Sequence, residues 1–414
     1  MTKRLLLINF DFPPNQGIGG RRWAKMAKGF AQSGFELDVI KSDPIAGNKT
    51  SSWSSDVQSS RIRIYSLSRP LCSSFISHPR RGIVGKILYR FALMFNRIRY
   101  SGTPFDVSLG WEKVLTNKLV ELTKTKTYDA VIATGAPWNM LYVVAQFMSR
   151  QKTIKFIVDY RDPWIEAKNY GMLGLSAKRM QCEIAKELFV LRTANIVTSP
   201  YPYLTERLQR RIDTNSNGQT RCVTLEHFFD PEDIPTRFSV AHSKKVFRIV
   251  YGGDIYIGAL ELLQEISQDL KAINEKLSEK DIRVIIDIYT DSSVDSEVIS
   301  SPFVQFHASI GRELFVELQK SNACLILLPE HKKDEKTTKF YEYLAARKPM
   351  IVAAKDGAVF DYIRSMKLGY GWSVDETHEW IEAYISGDMC NSEEYDISKE
   401  SINARVDYIS RLLV

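Results

Sequence analysis

The chain has 414 residues, 44% hydrophobic, 25% charged and 11% aromatic, with a net charge of +7. That length is too great for one ordinary core and predicts two or three domains, and the composition excludes a disordered, collagen-like or disulfide-scaffold chain. The charge is uneven. No acidic residue lies between Asp56 and Asp106, whereas Arg61, Arg63, Arg69, Arg80, Arg81, Lys86, Arg90, Arg97 and Arg99 all do, and these nine exceed the whole-chain surplus. A local basic region fits an anionic surface as partner and argues against a nucleic-acid binder. Cys72, Cys182, Cys222, Cys324 and Cys390 are scattered with no CxxC pair, so no structural zinc or disulfide framework is expected and a reduced, cytoplasmic setting is. The opening MTKRLLLINFDFPP has too short an apolar run for a signal peptide, and the sequence holds no run of about 18 apolar residues, so no membrane span is expected.

In chain order, Arg4–Asn9 reads as a buried parallel strand ending near Pro13-Pro14. Gly17, Gly19 and Gly20 follow, then a helix over Arg21–Ser33 with Trp23, Met26, Ala27 and Phe30 on one face, and a strand at Glu36–Lys41. This strand, Gly-rich turn, helix, strand unit opens a doubly wound α/β sheet. After the basic stretch, strands are expected at Ala130–Thr134, Lys155–Tyr160, Ile196–Ser199 and Cys222–His227, with helices at Trp138–Arg150 and Ser176–Arg192. The polar, proline-broken segment 231–246 reads as a linker, dividing a first domain (1–235) from a second (246–395). The second series has strands at Phe247–Gly252, Arg283–Tyr289, Cys324–Leu328 and Met350–Ala354, with helices at Leu260–Lys276, Gly311–Lys320, Thr338–Ala346 and Ala358–Met366. A last helix, about Lys399–Leu413 within 396–414, is expected to cross back to the first domain. Two such domains facing each other would place an active site in the cleft between them.

Four features can carry chemistry. In PPNQGIGGRR (Pro13–Arg22), glycines at a strand-to-helix turn allow close approach of a ligand, although the pattern is not a GxGxxG fingerprint; a merely tight turn is the alternative. In VDYRDPW, Asp159, Arg161 and Asp162 cluster at the carboxyl end of a strand, where Arg161 could hold a phosphate or carboxylate; the alternative is an Arg-Asp pair pinning a loop. In DEKTTKFYEYLAARKP, Lys339 and Glu342 share a face near a helix start, suited to a phosphate and to vicinal ribose hydroxyls, unless they form only a surface ion pair. From Ile83 to Ile98, Val84, Ile87, Leu88, Phe91, Met94, Phe95 and Ile98 recur at helical spacing with Arg81, Lys86, Arg90, Arg97 and Arg99 around them. That pattern describes a helix lying on an anionic bilayer, or one packed on its own domain. His78, His227, His242, His307, His331 and His378 lack metal-ligand spacing, so no metal site is expected; His227 lies nearest the expected cleft.

In this order the motifs resemble the family 4-type retaining glycosyltransferases of GT-B fold, along the whole chain. DFPPNQGIGG is similar to that family's opening turn, and ATGAPWNMLYVVAQF with IVDYRDPW looks like a bacterial branch, as does Trp111. LEHFFDPEDI resembles the close of the N-terminal domain, FRIVYGGDIYIGALELL the first strand and donor loop of the C-terminal domain, and TTKFYEYLAARKPMIV the family's most specific motif. The resemblance implies sugar transfer from a UDP- or GDP-linked donor, as substrate and with no separate cofactor, to a saccharide or lipid-linked acceptor with retention of configuration. It implies donor contacts from Glu342 (ribose hydroxyls), Lys339, Gly19, Gly20 and Gly253 (diphosphate), and Asp334 at the sugar. Asp159, Arg161 and Asp162 would line the acceptor side as catalytic candidates. The first motif carboxylate is Asp, with Glu335 an adjacent rival. The usual Arg and Lys are missing from GGDIYIGALE, and Thr134-Gly135 stands where a histidine is frequent. The reading expected is a peripheral enzyme of bacterial surface polysaccharide or glycolipid assembly, facing an anionic membrane through Lys86, Arg90, Arg97 and Arg99. A nucleotide-sugar epimerase or hydrolase, or a non-catalytic scaffold of the same fold, is the alternative.

Overall fold

The structure is a computed structural model, and it describes residues 2–15, 18–45, 50–77, 82–166, 171–215, 219–235, 245–255, 257–292, 299, 301–386 and 395–413. The chain forms two compact units, Met1–Glu226 with Arg405–Val414, and His227–Ala404. Most of the expected linker, 236–244, lies outside the described residues, as do Arg80, Arg81, His78, His242, Gly17 and Cys390.

In the first unit the strands are β1 (Arg4–Ile8), β2 (Glu36–Ser42), β3 (Ile62–Leu67), β4 (Ala130–Gly135), β5 (Lys155–Tyr160), β6 (Ile196–Ser199) and β7 (Arg221–Thr224). They form one parallel sheet in the order β3-β2-β1-β4-β5-β6-β7. Its helices are α1 (Ile18–Gln32), α2 (Ser73–Ser77), α3 (Gly82–Arg99), α4 (Glu112–Thr125), α5 (Trp138–Met148), α6 (Ala177–Thr193) and α7 (Pro202–Asn215). Leu5, Leu6, Leu7 and Ile8 are all buried, as a central parallel strand covered on both faces requires.

The second unit has β8 (Val246–Gly252), β9 (Arg283–Tyr289), β10 (Val304–His307), β11 (Ala323–Leu327), β12 (Met350–Ala353) and β13 (Gly369–Gly371), in the parallel order β10-β9-β8-β11-β12-β13. Alternate residues feed two cores. Ile249, Tyr251, Leu325 and Ile351 pack with α8 (Ala259–Leu277) and α12 (Val374–Ser386), whereas Val250, Cys324, Ile326 and Val352 pack with α9 (Leu314–Lys320), α10 (Thr338–Ala346) and α11 (Ala358–Ser365). The final helix α13 (Ile402–Leu412) follows a single turn of 3-10 helix, Ile397–Glu400, so it begins later than expected from Lys399.

The strand boundaries expected at Lys155–Tyr160, Ile196–Ser199 and Arg283–Tyr289, and those of the helix at Thr338–Ala346, match the structure. The expected Cys222–His227 strand ends at Thr224, and the expected Gly311–Lys320 helix opens as a 3-10 turn before α9. β3, β10, β13, α2, α4, α7 and α12 are not among the sequence expectations. The edge strand β3 shows why: most of IRIYSL is exposed or half-exposed, so it lacks the apolar run that marks its buried neighbours.

Candidate functional site

Each sheet reverses its winding at one point, between β1 and β4 in the first unit and between β8 and β11 in the second. Loops that diverge at such a point leave a crevice at the carboxyl ends of the strands.

In the first unit, the register sets Thr134 beside Asp159 and Asp159 beside Thr198 across β4, β5 and β6. Asn9 Nδ2 donates to Thr134 Oγ1 at 3.1 Å, and Thr198 Oγ1 donates to Asp159 at 2.6 Å. Asp159 is fully buried and also accepts from Trp23 Nε1 at 2.7 Å and Arg22 Nε at 3.3 Å, while Arg22 Nη2 reaches Leu225 O at 2.6 Å. The Asp159 carboxylate therefore staples α1 to the sheet. This corrects the expectation that it lines a site: three side-chain donors and complete burial leave no face for a substrate.

Beyond this row lies a cavity of about 100 Å³ lined by Asp11 after β1, Thr103, Phe105, Asp106 and Val107, then Ala136, Pro137 and Trp138 after β4, and Arg161 after β5. Arg161 Nε pairs with Asp162 at 2.8 Å. Its guanidinium lies over Gly19, where a Cβ would come within 2.1 Å of Nη1, and a Cβ on Gly20 would lie 2.1 Å from Asp11 O. The helix α1 starts at Ile18, three residues before the expected Arg21, so the two glycines sit inside its first turn, where the chain passes close to Arg161 and Asp11. At Gly135 a Cβ would meet Trp138 at 2.3 Å, so no larger side chain fits where the resemblance leads one to look for a histidine.

Asp106 organises this corner. Its Oδ2 accepts from the backbone N–H groups of Trp138 (2.7 Å) and Asn139 (2.8 Å), capping α5, and its Oδ1 accepts from Ser108. Trp138 stacks on Trp164 at 5.3 Å, and Trp164 Nε1 donates to Glu183 at 2.7 Å. Asp11, Phe105 and Asp106 are lining residues that sequence reasoning missed. Asp11 begins the quoted turn DFPPNQGIGG, whereas nothing local marks Phe105 and Asp106, since residues 103–107 meet β4 and β5 only through the fold.

In the second unit, α10 starts beside the end of β8. Tyr343 Oη accepts from Gly252 N at 3.0 Å, fixing the helix there. Lys339 Nζ lies 3.5 Å from Asp254 O and 5.2 Å from the Tyr251 ring centroid, and its chain runs over Gly253, where φ is 115° and a Cβ would meet Lys339 Cε at 2.7 Å. Lys339 and Glu342 are 7% and 8% exposed, one turn apart in a helix otherwise filled by Phe340, Tyr341 and Tyr343. Both are thus enclosed beside the end of β8, where that sheet reverses its winding. His227, also buried, stands edge-on to Tyr341 at 6.5 Å.

Asp334 does not join them. It is exposed, and its Oδ1 accepts from Ala358 N at 2.8 Å, so it caps α11. The neighbouring Glu335 is the buried carboxylate, 2.6 Å from Lys332 Nζ. On the other expected surface, Lys86, Arg90, Arg97 and Arg99 are exposed on α3, together with Ile83, Val84, Ile87, Phe91, Met94, Phe95 and Ile98. No described helix is long and apolar enough to cross a membrane.

No protein-family model and no curated protein sequence matches the chain. Solved structures do. An E. coli trehalose-6-phosphate structure bound with UDP-2-fluoro glucose is 13% identical with a TM-score of 0.64, covering 99% of each chain. A sucrose-phosphate synthase from Thermosynechococcus elongatus is 14% identical with a TM-score of 0.60, over 99% of this chain and 98% of that one. A UDP-forming α,α-trehalose-phosphate synthase from Burkholderia vietnamiensis is 10% identical with a TM-score of 0.60, over 100% and 98%. At such identities the likeness is one of fold, and it spans both units: two Rossmann-like parallel-sheet domains of the GT-B architecture.

Proposed function

We propose that the protein is a retaining glycosyltransferase that moves a sugar from a UDP- or GDP-linked donor to a saccharide-bearing acceptor. The observation that carries this reading is the enclosed Lys339–Glu342 pair at the reversal point of the second sheet, in a chain whose whole length matches the fold of structures such as one bound with UDP-2-fluoro glucose. The motif TTKFYEYLAARKPMIV supports a family 4-type assignment.

In this reading the Glu342 carboxylate accepts from the ribose hydroxyls, and the Lys339 ammonium, carried over Gly253, meets the negative charge growing on the departing diphosphate. Lys339 also supplies the cation that the loop GGDIYIGALE lacks. As the bond from the anomeric carbon to the diphosphate oxygen breaks, the acceptor oxygen bonds to that carbon and its proton passes to solvent or to the leaving phosphate. In this reading Arg161 and Asp162 stand on the acceptor side, with Arg161 on the wall of the small cavity beside Trp138 and Phe105. The acceptor we favour is a lipid-linked saccharide of bacterial surface polysaccharide or glycolipid assembly, met at the cytoplasmic face of the membrane.

Calorimetry with UDP and GDP, followed by incubation with nucleotide sugars, tests the reading. Binding of one nucleotide, weakened in Glu342→Ala, is expected. Binding of neither would leave the scaffold alternative, which the missing loop Arg and Lys favour, and conversion of the donor alone without an acceptor would indicate an epimerase or hydrolase.

A further inference from the structure

The packing of α3 is the reverse of what a helix on an α/β domain normally shows. Such a helix turns bulky apolar residues inward and charged ones outward. Here the inward positions are Gly85, Ala92 and Asn96, all buried, with Asn96 Nδ2 donating to Pro104 O at 2.9 Å. Ile83, Val84, Ile87, Phe91, Met94 and Ile98 face outward, each between 52% and 80% exposed. At roughly 100° per residue these six fall within an arc of about 100°, and Lys86, Arg90 and Arg97 form a row along one border of it. The helix cannot simply roll to hide the stripe. Arg179 of α6 holds its carboxyl end, donating to Gly102 O at 2.6 Å, Tyr100 O at 3.1 Å and also to Arg97 O.

We propose that α3 docks the protein on an anionic lipid bilayer, with the apolar stripe entering the headgroup boundary and the Lys86–Arg90–Arg97 row meeting lipid phosphates. Charge complementarity selects this occupant over a second copy of the chain. No acidic residue lies anywhere from 57 to 105, so pairing two α3 faces would set basic rows against each other with no acid on α3 or its flanks to neutralise them. The geometry is that of an interfacial helix, which lies in the membrane plane on one apolar arc with cations beside it. The inference deepens the glycosyltransferase reading, which it uses only for the purpose of docking: α3 runs into residues 103–107, which line the first unit's cavity, so docking brings a headgroup-borne saccharide to that cavity.

The experiment is flotation of the full chain with vesicles of phosphatidylcholine alone and of phosphatidylcholine with phosphatidylglycerol, with no nucleotide present. The wild type is expected to float with the phosphatidylglycerol vesicles and far less with the neutral ones. Ile87→Glu with Phe91→Glu, and separately Arg90→Glu with Arg97→Glu, should each reduce partitioning about tenfold or more. Because all four side chains are exposed, melting temperature and nucleotide affinity should stay at wild-type values. Absence of flotation with anionic vesicles, partitioning of both variants at the wild-type level, or a stable dimer in light scattering that Ile87→Glu with Phe91→Glu dissolves would overturn the proposal. Flotation without nucleotide binding would sink the enzyme reading and leave the docking standing; nucleotide binding without flotation would do the reverse.

Discussion

Glu187 is 1% exposed in α6, beside an Arg211 guanidinium that bonds it at 2.6 Å. Burial nevertheless pushes its carboxyl up to about 7, the arginine offsetting only part of the desolvation. A carboxyl whose folded pKa is raised contributes stability that is fully present below its unfolded value, about 4.5, and is lost as pH rises through about 7. Glu187→Gln should therefore gain stability relative to wild type on moving from about pH 5 to about pH 8, by on the order of 1 to 3 kcal/mol. Thermal melts at the two pH values check this; a difference that does not change with pH would sink it. The two α1 glycines separate in the same way by residue-scale geometry. Gly20→Ala presses its Cβ on the fixed carbonyl of Asp11, so about 1 to 3 kcal/mol of stability should be lost. Gly19→Ala presses on the movable end of Arg161, so the melting temperature should fall less while Arg161 is displaced from the cavity and transfer activity drops. Glu342→Ala should weaken nucleotide binding by more than about 1 kcal/mol, the scale of a lost charge-assisted hydrogen bond, as calorimetry would read; an unchanged affinity refutes its donor role.

At the scale of elements, two carboxylates act as caps that the sequence pattern does not reveal. Asp106 satisfies the first N–H groups of α5 from 32 residues away, and Asp334 caps α11 from 24 residues away. Neither fits a local capping box, whose partners lie within one turn. Asp334→Ala should cost about 1 kcal/mol in melting experiments and leave nucleotide affinity unchanged. A large loss of affinity instead would return Asp334 to the donor site, where the motif resemblance first set it. α10 is the contrasting case. Its boundaries, its motif and its two charged residues are all legible in TTKFYEYLAARKP, because helical periodicity and the charges belong to one continuous segment. α3 is partly legible: the pattern predicts an amphipathic basic helix, yet not which side faces out, since that depends on what the rest of the unit offers for packing.

Over the whole molecule, the alternation of apolar strands and amphipathic helices determines two parallel-sheet units, and the motif resemblance adds the GT-B class. Central strands covered on both faces must be predominantly apolar, and that requirement is written into local sequence. The local charge asymmetry between Arg61 and Arg99 is likewise a property of the sequence alone. What only the tertiary structure decided is which polar residues are accessible. Asp159 and Arg161 are two positions apart in one strand end, and the sequence treats them alike. The fold buries the first among Arg22 and Trp23 of α1 and Thr198 of β6, two separate segments, and turns the second onto a cavity wall. Residues two apart on a strand share a face, so pleating does not separate these two: Asp159 is still within β5 and meets the α1 donors Arg22 and Trp23 from more than a hundred positions away, whereas Arg161 lies past the strand's end at Tyr160. The same reason makes the outward turn of α3's apolar stripe a fact of packing: periodicity defines a face, and only the assembled unit decides whether anything covers it.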